Sequence, residues 1–429
     1  MNIATQFKGR ILPKKFGRSE LLLRWFRWNS SHQDNVYSQE FTNFIMAISE
    51  FKERATVIER LRLSMKKKDP SQRLSVAEIV DQNLSLGAKN PRDQVYALLS
   101  LSSDATVQDL EPNYDPEVSN KNIFTKISWY YLQDGNRLNL FLSAGLAPRV
   151  IAEEETPRTP GLQSWVYDFA YGPARDLTLS NWATDLERSK TTRLNCKLSP
   201  KFLSVNGTVI DKVAFFASQL VQPSDVRGFL NSGIAMKYHI TVRTMVSLIE
   251  ETRGMAEKYV RKLYPGDIER EEAYWRTIFM GSSCSGTSPL EAKDFFVILN
   301  CMARDLRADP TTTESIYGLQ GALSLAKLHP EWSYERVSSR INSLMETFTR
   351  VWKPYTFVVL ESGYMGWAPP GVQAGDVFCL FDGCIVPFVL RPTEGANTYS
   401  LWGDGYVHGF MPGQQPGIEG KPTEWFKIV

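Results

Sequence analysis

Residues 357–370 read FVVLESGYMGWAPP, residues 375–391 read GDVFCLFDGCIVPFVLR, and residues 399–411 read YSLWGDGYVHGFM. Short β-branched and aromatic runs alternate here with Gly, Pro and Asp at intervals of roughly 8–12 residues, the pattern of a small antiparallel sheet or barrel. The sharpest punctuation is Asp382-Gly383, between Val377–Phe381 and Cys384–Leu390. Asp-Gly supplies the two positive-φ residues that a two-residue type I′ hairpin requires to match strand twist. Ser362-Gly363 and Asp404-Gly405 mark two more reversals, and Gly371 to Gly375 a fourth. The expectation is an α+β protein: a mainly helical domain with a C-terminal antiparallel β-meander or small barrel.

Working outward, a chain of 429 residues with 43% hydrophobic and 12% aromatic residues has ample material for two or three packed domains. A formal charge of +2 identifies no large charged partner, and five cysteines without regular spacing do not make a disulfide framework. Cys196, Cys284, Cys301, Cys379 and Cys384 read as reduced thiols of a cytoplasmic protein. No apolar run approaches the roughly 18–20 residues of a membrane span. Residues 1–35 form a basic N-terminal segment, with seven Lys/Arg against one acid, Glu20, in the first 30. A mitochondrial presequence, a membrane-surface segment and the start of a domain all remain open readings of it. Its Arg/Trp alternation is too short on a near-neutral chain to indicate nucleic acid.

Residues 36–350 read as mainly helical. Phe41, Phe44, Ile45, Ile48, Phe51, Ala55, Ile58 and Leu61 fall on one stripe, with Lys66-Lys67-Lys68 at a helix end and Pro70 beyond it. Ser75 to Glu78 is a capping-box pattern. In the run Asn90-Pro91-Arg92-Asp93-Gln94-Val95-Tyr96, Asn90 suits an N-cap, Pro91 the first turn, and Asp93 the positive helix end. Asp115 can cap a further helix through Phe124 and Tyr131, and Trp165 reads as a core anchor. Asn206-Gly207 is a second hairpin signal, placing a short β-hairpin near 202–210. Helices resume from about Ser224 and again over Thr312 to Thr347, and residues 351–429 complete the β-module.

Four separated blocks, spanning about residues 85–429, resemble fungal heterokaryon-incompatibility (HET) proteins. The C-terminal signature is carried by Gly363, Gly366, Pro369, Gly375, Asp376, Gly383, Pro387, Phe388, Leu390, Arg391, Tyr406, Val407, His408 and Gly409. The run with Pro91, Arg92, Asp93 and Tyr96 resembles the family's D-P-R-D-K-V-Y-A-L-L-G-L, departing at Asn90, Gln94 and Ser100. Pro112 to Asp115 is similar to P-D-Y-S; Ser164 to Phe169, with Trp165 and Asp168, is similar to S-W-V-x-D-W. Glu272 to Thr277, with Trp275 and Arg276, resembles E-A-F-W-R-T-L, and Asp211 matches an aspartate that follows a family glycine. The resemblance implies a role in non-self recognition and programmed cell death. It attributes the effector role to an N-terminal, Toll/interleukin-receptor-like region with S-Y-x-W-G, D-x-x-C-I-N-Q and R-x-W-x-x-Q-E blocks. This sequence contains none of the three, so the expectation is a truncated relative without effector activity of its own.

The residues themselves offer little chemistry. No phosphate-cradling glycine loop, H-E-x-x-H helix or Cys/His zinc spacing occurs, so no cofactor and no metal is expected. Gly281 to Gly286 lacks the strand-to-helix elbow of a serine nucleophile. His32, His239, His329 and His408 are scattered. His408 is the one residue to test, set against the plainer reading of a hydrogen-bonded, partly buried histidine. The motif residues therefore read as structural, and the function as a non-enzymatic regulatory protein with protein partners. Two alternatives stay open: a small-molecule-sensing β-module, and an enzyme with a dispersed site near His408 and Arg391, in a role accessory to metabolism.

Overall fold

The computed structural model describes residues 58–76, 78–79, 89–103, 110–133, 141, 144–147, 158–170, 194–218, 234–280, 330–333, 336, 355–411 and 420–429. The chain divides into two compact units, Met1–Ile48 with Arg227–Val246 and Asp294–Leu344, and Ser49–Val226 with Ser247–Lys293 and Met345–Val429. In the first, the described residues are helix 234–246, a turn at 330–333, and Arg336 stacked over Trp332 at 4.5 Å. The second unit holds all of the described strands.

Its helices are α1 (Asp93–Leu99), α2 (Asn120–Gln133), the 247–259 part of α3 (Ile234–Tyr259) and α4 (Arg270–Ile278). Its strands are β1 (Cys196–Leu198), β2 (Leu203–Phe216), the β3–β4 ribbon (Leu263–Tyr264, Ile268–Glu269), β5 (Thr356–Leu360), β6 (Met365–Ala368), β7 (Val377–Phe381), β8 (Phe388–Pro392), β9 (Thr398–Asp404), β10 (Tyr406–Val407) and β11 (Glu424–Ile428). The protein is α+β, as the pattern predicts.

Strand β2 organises the sheet. It pairs with β11 over Leu203–Gly207, with β7 over Gly207–Lys212 and with β5 over Val213–Phe216. Two register shifts, at Val209/Asp211 and Val213/Phe215, mark bulges, and a bulged strand bends. The bend lets one strand serve two groups of partners. On one side, pairings run β2–β11–β9–β8–β7 and return to β2; on the other, β5, β6 and β10 extend the nine-stranded sheet to an open edge. All of these pairings are antiparallel except β11–β9. Inside the first group Phe381, Phe388, Phe426 and Phe141 pack with ring centroids 5.0–6.0 Å apart. A second core joins Ile210, Val213, Val358, Leu360, Phe378, Val389, Val407 and Phe410.

Several sequence readings need correction. Asn206-Gly207 is not a turn, because both backbone groups of Asn206 are paired within the sheet, its N–H to Asn195 O at 2.9 Å and its carbonyl to Asp382 N at 3.0 Å. The reversal lies earlier, over 199–202, closed by Ser199 N–H to Phe202 O. Gly207 answers to space: a Cβ there would stand 2.6 Å from Leu380 O. At Asp382-Gly383 only Gly383 has positive φ (93°), and Cys384 N–H bonds to Phe381 O at 2.9 Å. That is a type II-like turn rather than type I′. Asp382 is still tied to Asn195 and Asn206, so strand β8 does not resume until Phe388. Asp404-Gly405 does not reverse the chain; it hands it from β9, beside β8, to β10, beside β6. Gly371–Gly375 joins β6 to β7, which are not sheet neighbours. Ser362-Gly363 does form a hairpin turn: Gly363 (φ 87°) donates to Leu360 O at 2.9 Å, and Leu360 N–H to Tyr364 O at 2.8 Å.

Candidate functional site

Helix α4 sits against β6, the strand next to β10, and the polar seam around it contains His408. Met365 N–H donates to the Tyr264 hydroxyl at 3.0 Å, and that hydroxyl donates to His408 O at 3.0 Å. Trp367 Nε1–H donates to Thr277 O at 2.8 Å, and the Tyr406 hydroxyl lies 3.5 Å from Arg276 O. The His408 ring meets the Tyr406 hydroxyl through Nδ1 at 3.3 Å and packs 5.5 Å from the Tyr264 ring. Its Nε2 has no hydrogen-bond partner among the described residues, and the side chain is 2% exposed. Burial, with the Arg276 cation adding to it, lowers the His408 pKa to about 4. The imidazole is therefore neutral at neutral pH. Glu272, the acid closest in effect, is engaged by Arg276 at 2.5 Å. Burial also pushes the Tyr264 phenol up, so it stays protonated and able to donate. The seam is a set of neutral hydrogen bonds that fasten a helix, and a general base needs its proton acceptor in reach of a substrate.

The second group centres on Asp376, which is buried. Arg391 grips its carboxylate with two bonds, Nε at 2.9 Å and Nη2 at 2.7 Å, and also reaches Gly371 O at 2.8 Å. The guanidinium lies 3.5 Å over the Trp402 ring, and Trp402 Nε1–H donates to Pro370 O at 3.0 Å. Asp376 also accepts Gln373 N–H at 2.8 Å. The loop that carries Gly371 (φ 73°) and Gly375 (φ 89°) is thereby fixed to β8 and β9. Pro387 contributes a carbonyl to Gly405 N–H at 2.8 Å.

The remaining motif residues form two further groups. Arg92 gathers a loop 21–28 residues downstream, donating to Asn113 O, Asp115 O, Val118 O and Asn120 Oδ1 at 2.6–3.0 Å. Tyr114 donates to Asp93 at 2.5 Å and packs edge-on against Tyr96; Asp115 Oδ1 accepts Glu117 N–H. Pro91 accepts Gln94 N–H at 3.3 Å, and Asn90 Oδ1 accepts Arg92 N–H at 3.1 Å. In the other group Asp168 is buried and accepts Thr159 N–H, Thr159 Oγ1 and Ala170 N–H at 2.8–3.1 Å. Ser164 donates through N–H and hydroxyl to Val429 O and accepts Leu401 N–H, bolting this loop to β9 and β11, with Trp165 buried behind it. On α4, Trp275 is buried and donates to Glu271 at 3.2 Å.

Sequence reasoning missed Tyr264, Trp402 and the buried Asp404, which accepts the Tyr355 hydroxyl at 3.2 Å. Nothing in the Leu-Tyr-Pro-Gly run around Tyr264 announces a partner 144 residues away. Among the described residues, no group of three or more His, Cys, Asp or Glu is placed to hold a metal, and no helix is long and apolar enough to cross a membrane.

The profile described as the Het-6 beta-barrel domain matches residues 332–426, which include β5 to β10 and most of β11. Heterokaryon incompatibility protein 6, OR allele, of Neurospora crassa is 23% identical over 342 residues, covering 76% of this chain and 49% of that protein. The C-terminal part of the chain thus matches the Het-6 beta-barrel domain, and the chain is similar to a heterokaryon incompatibility protein. It spans about half the length of this relative, and no solved structure matches it. The similarity to this relative covers more of the chain than the barrel domain does.

Proposed function

We propose that this protein is a member of the HET family, a non-enzymatic interaction and regulatory component of heterokaryon incompatibility without effector activity of its own. One observation carries the reading. The motif residues are spent on joints between separate segments: Arg92 to 113–120, Ser164 to Leu401 and Val429, Arg391 to Asp376 and Gly371, α4 to Trp367 of β6 and Tyr406 of β10. Residues that preserve a shape are what a protein needs when its surface is what works. His408, the strongest candidate for chemistry, is neutral and enclosed by Tyr264, Tyr406 and α4. Its partners are proteins, and its place of action is the cytoplasm.

The test is inducible expression of the full chain in a fungal host, following viability and nicotinamide dinucleotide levels beside a full-length HET protein. The expected outcome is survival with dinucleotide unchanged. Killing by the expressed chain, abolished by the core substitution Trp165→Ala, would overturn the reading.

A further inference from the structure

The outer face of β1, β2 and β11 carries a row of side chains that none of these joints uses. Lys197, Ser204 and Lys427 are register partners across the three strands, so they stand side by side on one face. The opposite face of the same strands is core, with Val205, Phe426 and Ile428 buried. Lys197 Nζ lies 4.7 Å from the Trp425 ring centroid and Lys427 Nζ 5.6 Å from that of Phe202. Trp425 is 39% exposed, and both lysines are exposed. No carboxylate among the described residues forms an ion pair with either lysine. Two cations are thus held in one row by ring faces, with a hydroxyl between them.

We propose that this face docks an extended acidic segment of a partner protein. Neighbouring strands lie about 4.8 Å apart, which puts the two lysine Cα atoms about 10 Å from each other. Same-side residues of an extended chain are about 7 Å apart, so two carboxylates of such a segment fall within reach of both lysine stems while Ser204 donates between them. The ring faces argue for peptide over nucleic acid. Single strands bind by stacking bases on open aromatic rings beside a long cationic groove. Here an ammonium already covers each ring, the row holds two cations, and the whole chain has a charge of only +2. The partner class adds to the proposed interaction role, and its binding test stands whether or not expression kills cells.

The experiment is fluorescence anisotropy of labelled octaglutamate titrated with the full chain, beside octalysine and a twelve-residue oligothymidylate. The expected result is saturable binding of octaglutamate alone, weakening as salt rises from about 50 to about 300 mM because surface charges are screened, with a change in Trp425 emission. Lys197→Glu with Lys427→Glu should weaken it at least about tenfold at an unchanged melting midpoint. Lys197→Gln with Lys427→Gln gives a milder pair should charge reversal disturb folding. Absence of octaglutamate binding, equal affinity of a folded double variant, or tighter binding of the oligothymidylate would overturn the proposal, the last in favour of a nucleic-acid surface.

Discussion

At the scale of single residues, two glycines of the same signature do different work. Gly363 has φ 87° and open space where a Cβ would sit, so its requirement is conformational. At Gly366, opposite Val407 in the β6–β10 pair, a Cβ would run into the carbonyl oxygen of Tyr406. Gly363→Ala should therefore cost about 1 kcal/mol, and Gly363→Asn less, because asparagine tolerates the left-handed region. Gly366→Ala should cost at least about 2 kcal/mol, as overpacking at a rigid backbone does, and asparagine there should be no remedy. Denaturant unfolding of the four variants checks the contrast; recovery by Gly366→Asn would show that the strands can separate without penalty. The same measurement separates geometry from charge at Arg391. Lysine keeps the cation but loses the fork that grips both oxygens of Asp376, for about 1–2 kcal/mol. Alanine leaves a buried carboxylate without its partner, for about 3 kcal/mol or more. Equal losses would mean that the fork contributes nothing.

At the scale of elements, what was legible was what is local. The Ser75–Glu78 capping box forms as its spacing demands, Glu78 N–H reaching Ser75 Oγ at 3.2 Å and Ser75 N–H reaching Glu78 at 2.7 Å. The helix at 58–65 stops at Lys66, before Pro70. Where a turn signal failed, distant backbone had claimed the same atoms: Asp382 N–H bonds to Asn206 O, Asn206 N–H to Asn195 O and Asn195 N–H to Asp382 O, so Asn206 is not free to be the corner of its own hairpin. The Arg92 joint lies between these cases, since its helix start was readable and its four acceptors were not. Its removal should have a local effect. Arg92→Gln is expected to speed amide hydrogen exchange at Val118 and Asn122, whose bonds close the loop and open α2, by at least about tenfold, with β7 and β8 amides unchanged. Uniform loss of protection across the sheet would show instead that the loop and the sheet unfold as one unit.

At the scale of the molecule, β2 decides the architecture, and its role was not in the sequence around it. Apart from the short neighbour β1, its partners begin about 150 residues later, at β5, and end at β11; an alternating run declares a strand but not which strands will flank it. The α+β class and the C-terminal strands were readable because their turn residues are nearby in the chain. The enclosure of His408 depends on the same long-range assembly, since Tyr264 and α4 come from residues 264–278 and β10 from 406–407. It has a consequence for the stability of the whole unit. The imidazole titrates at about 4 in the folded protein against an ordinary 6.5, owing chiefly to burial and secondarily to Arg276. Between these two values the unfolded chain binds a proton that the folded one refuses, so stability rises with pH across the window. The contribution is fully present above pH 6.5, declines as the pH falls, and is gone below about 4. By the usual conversion it amounts to about 3 kcal/mol at most. Carboxylates titrate near the lower end of the same range, so the wild-type profile alone does not isolate the histidine. The difference between wild type and His408→Gln does: glutamine has no proton to take up, and its unfolding free energy should fall less steeply between pH 6.5 and 4. Parallel profiles across that window would mean that His408 takes up its proton in the folded state, and that the seam beneath α4 admits water.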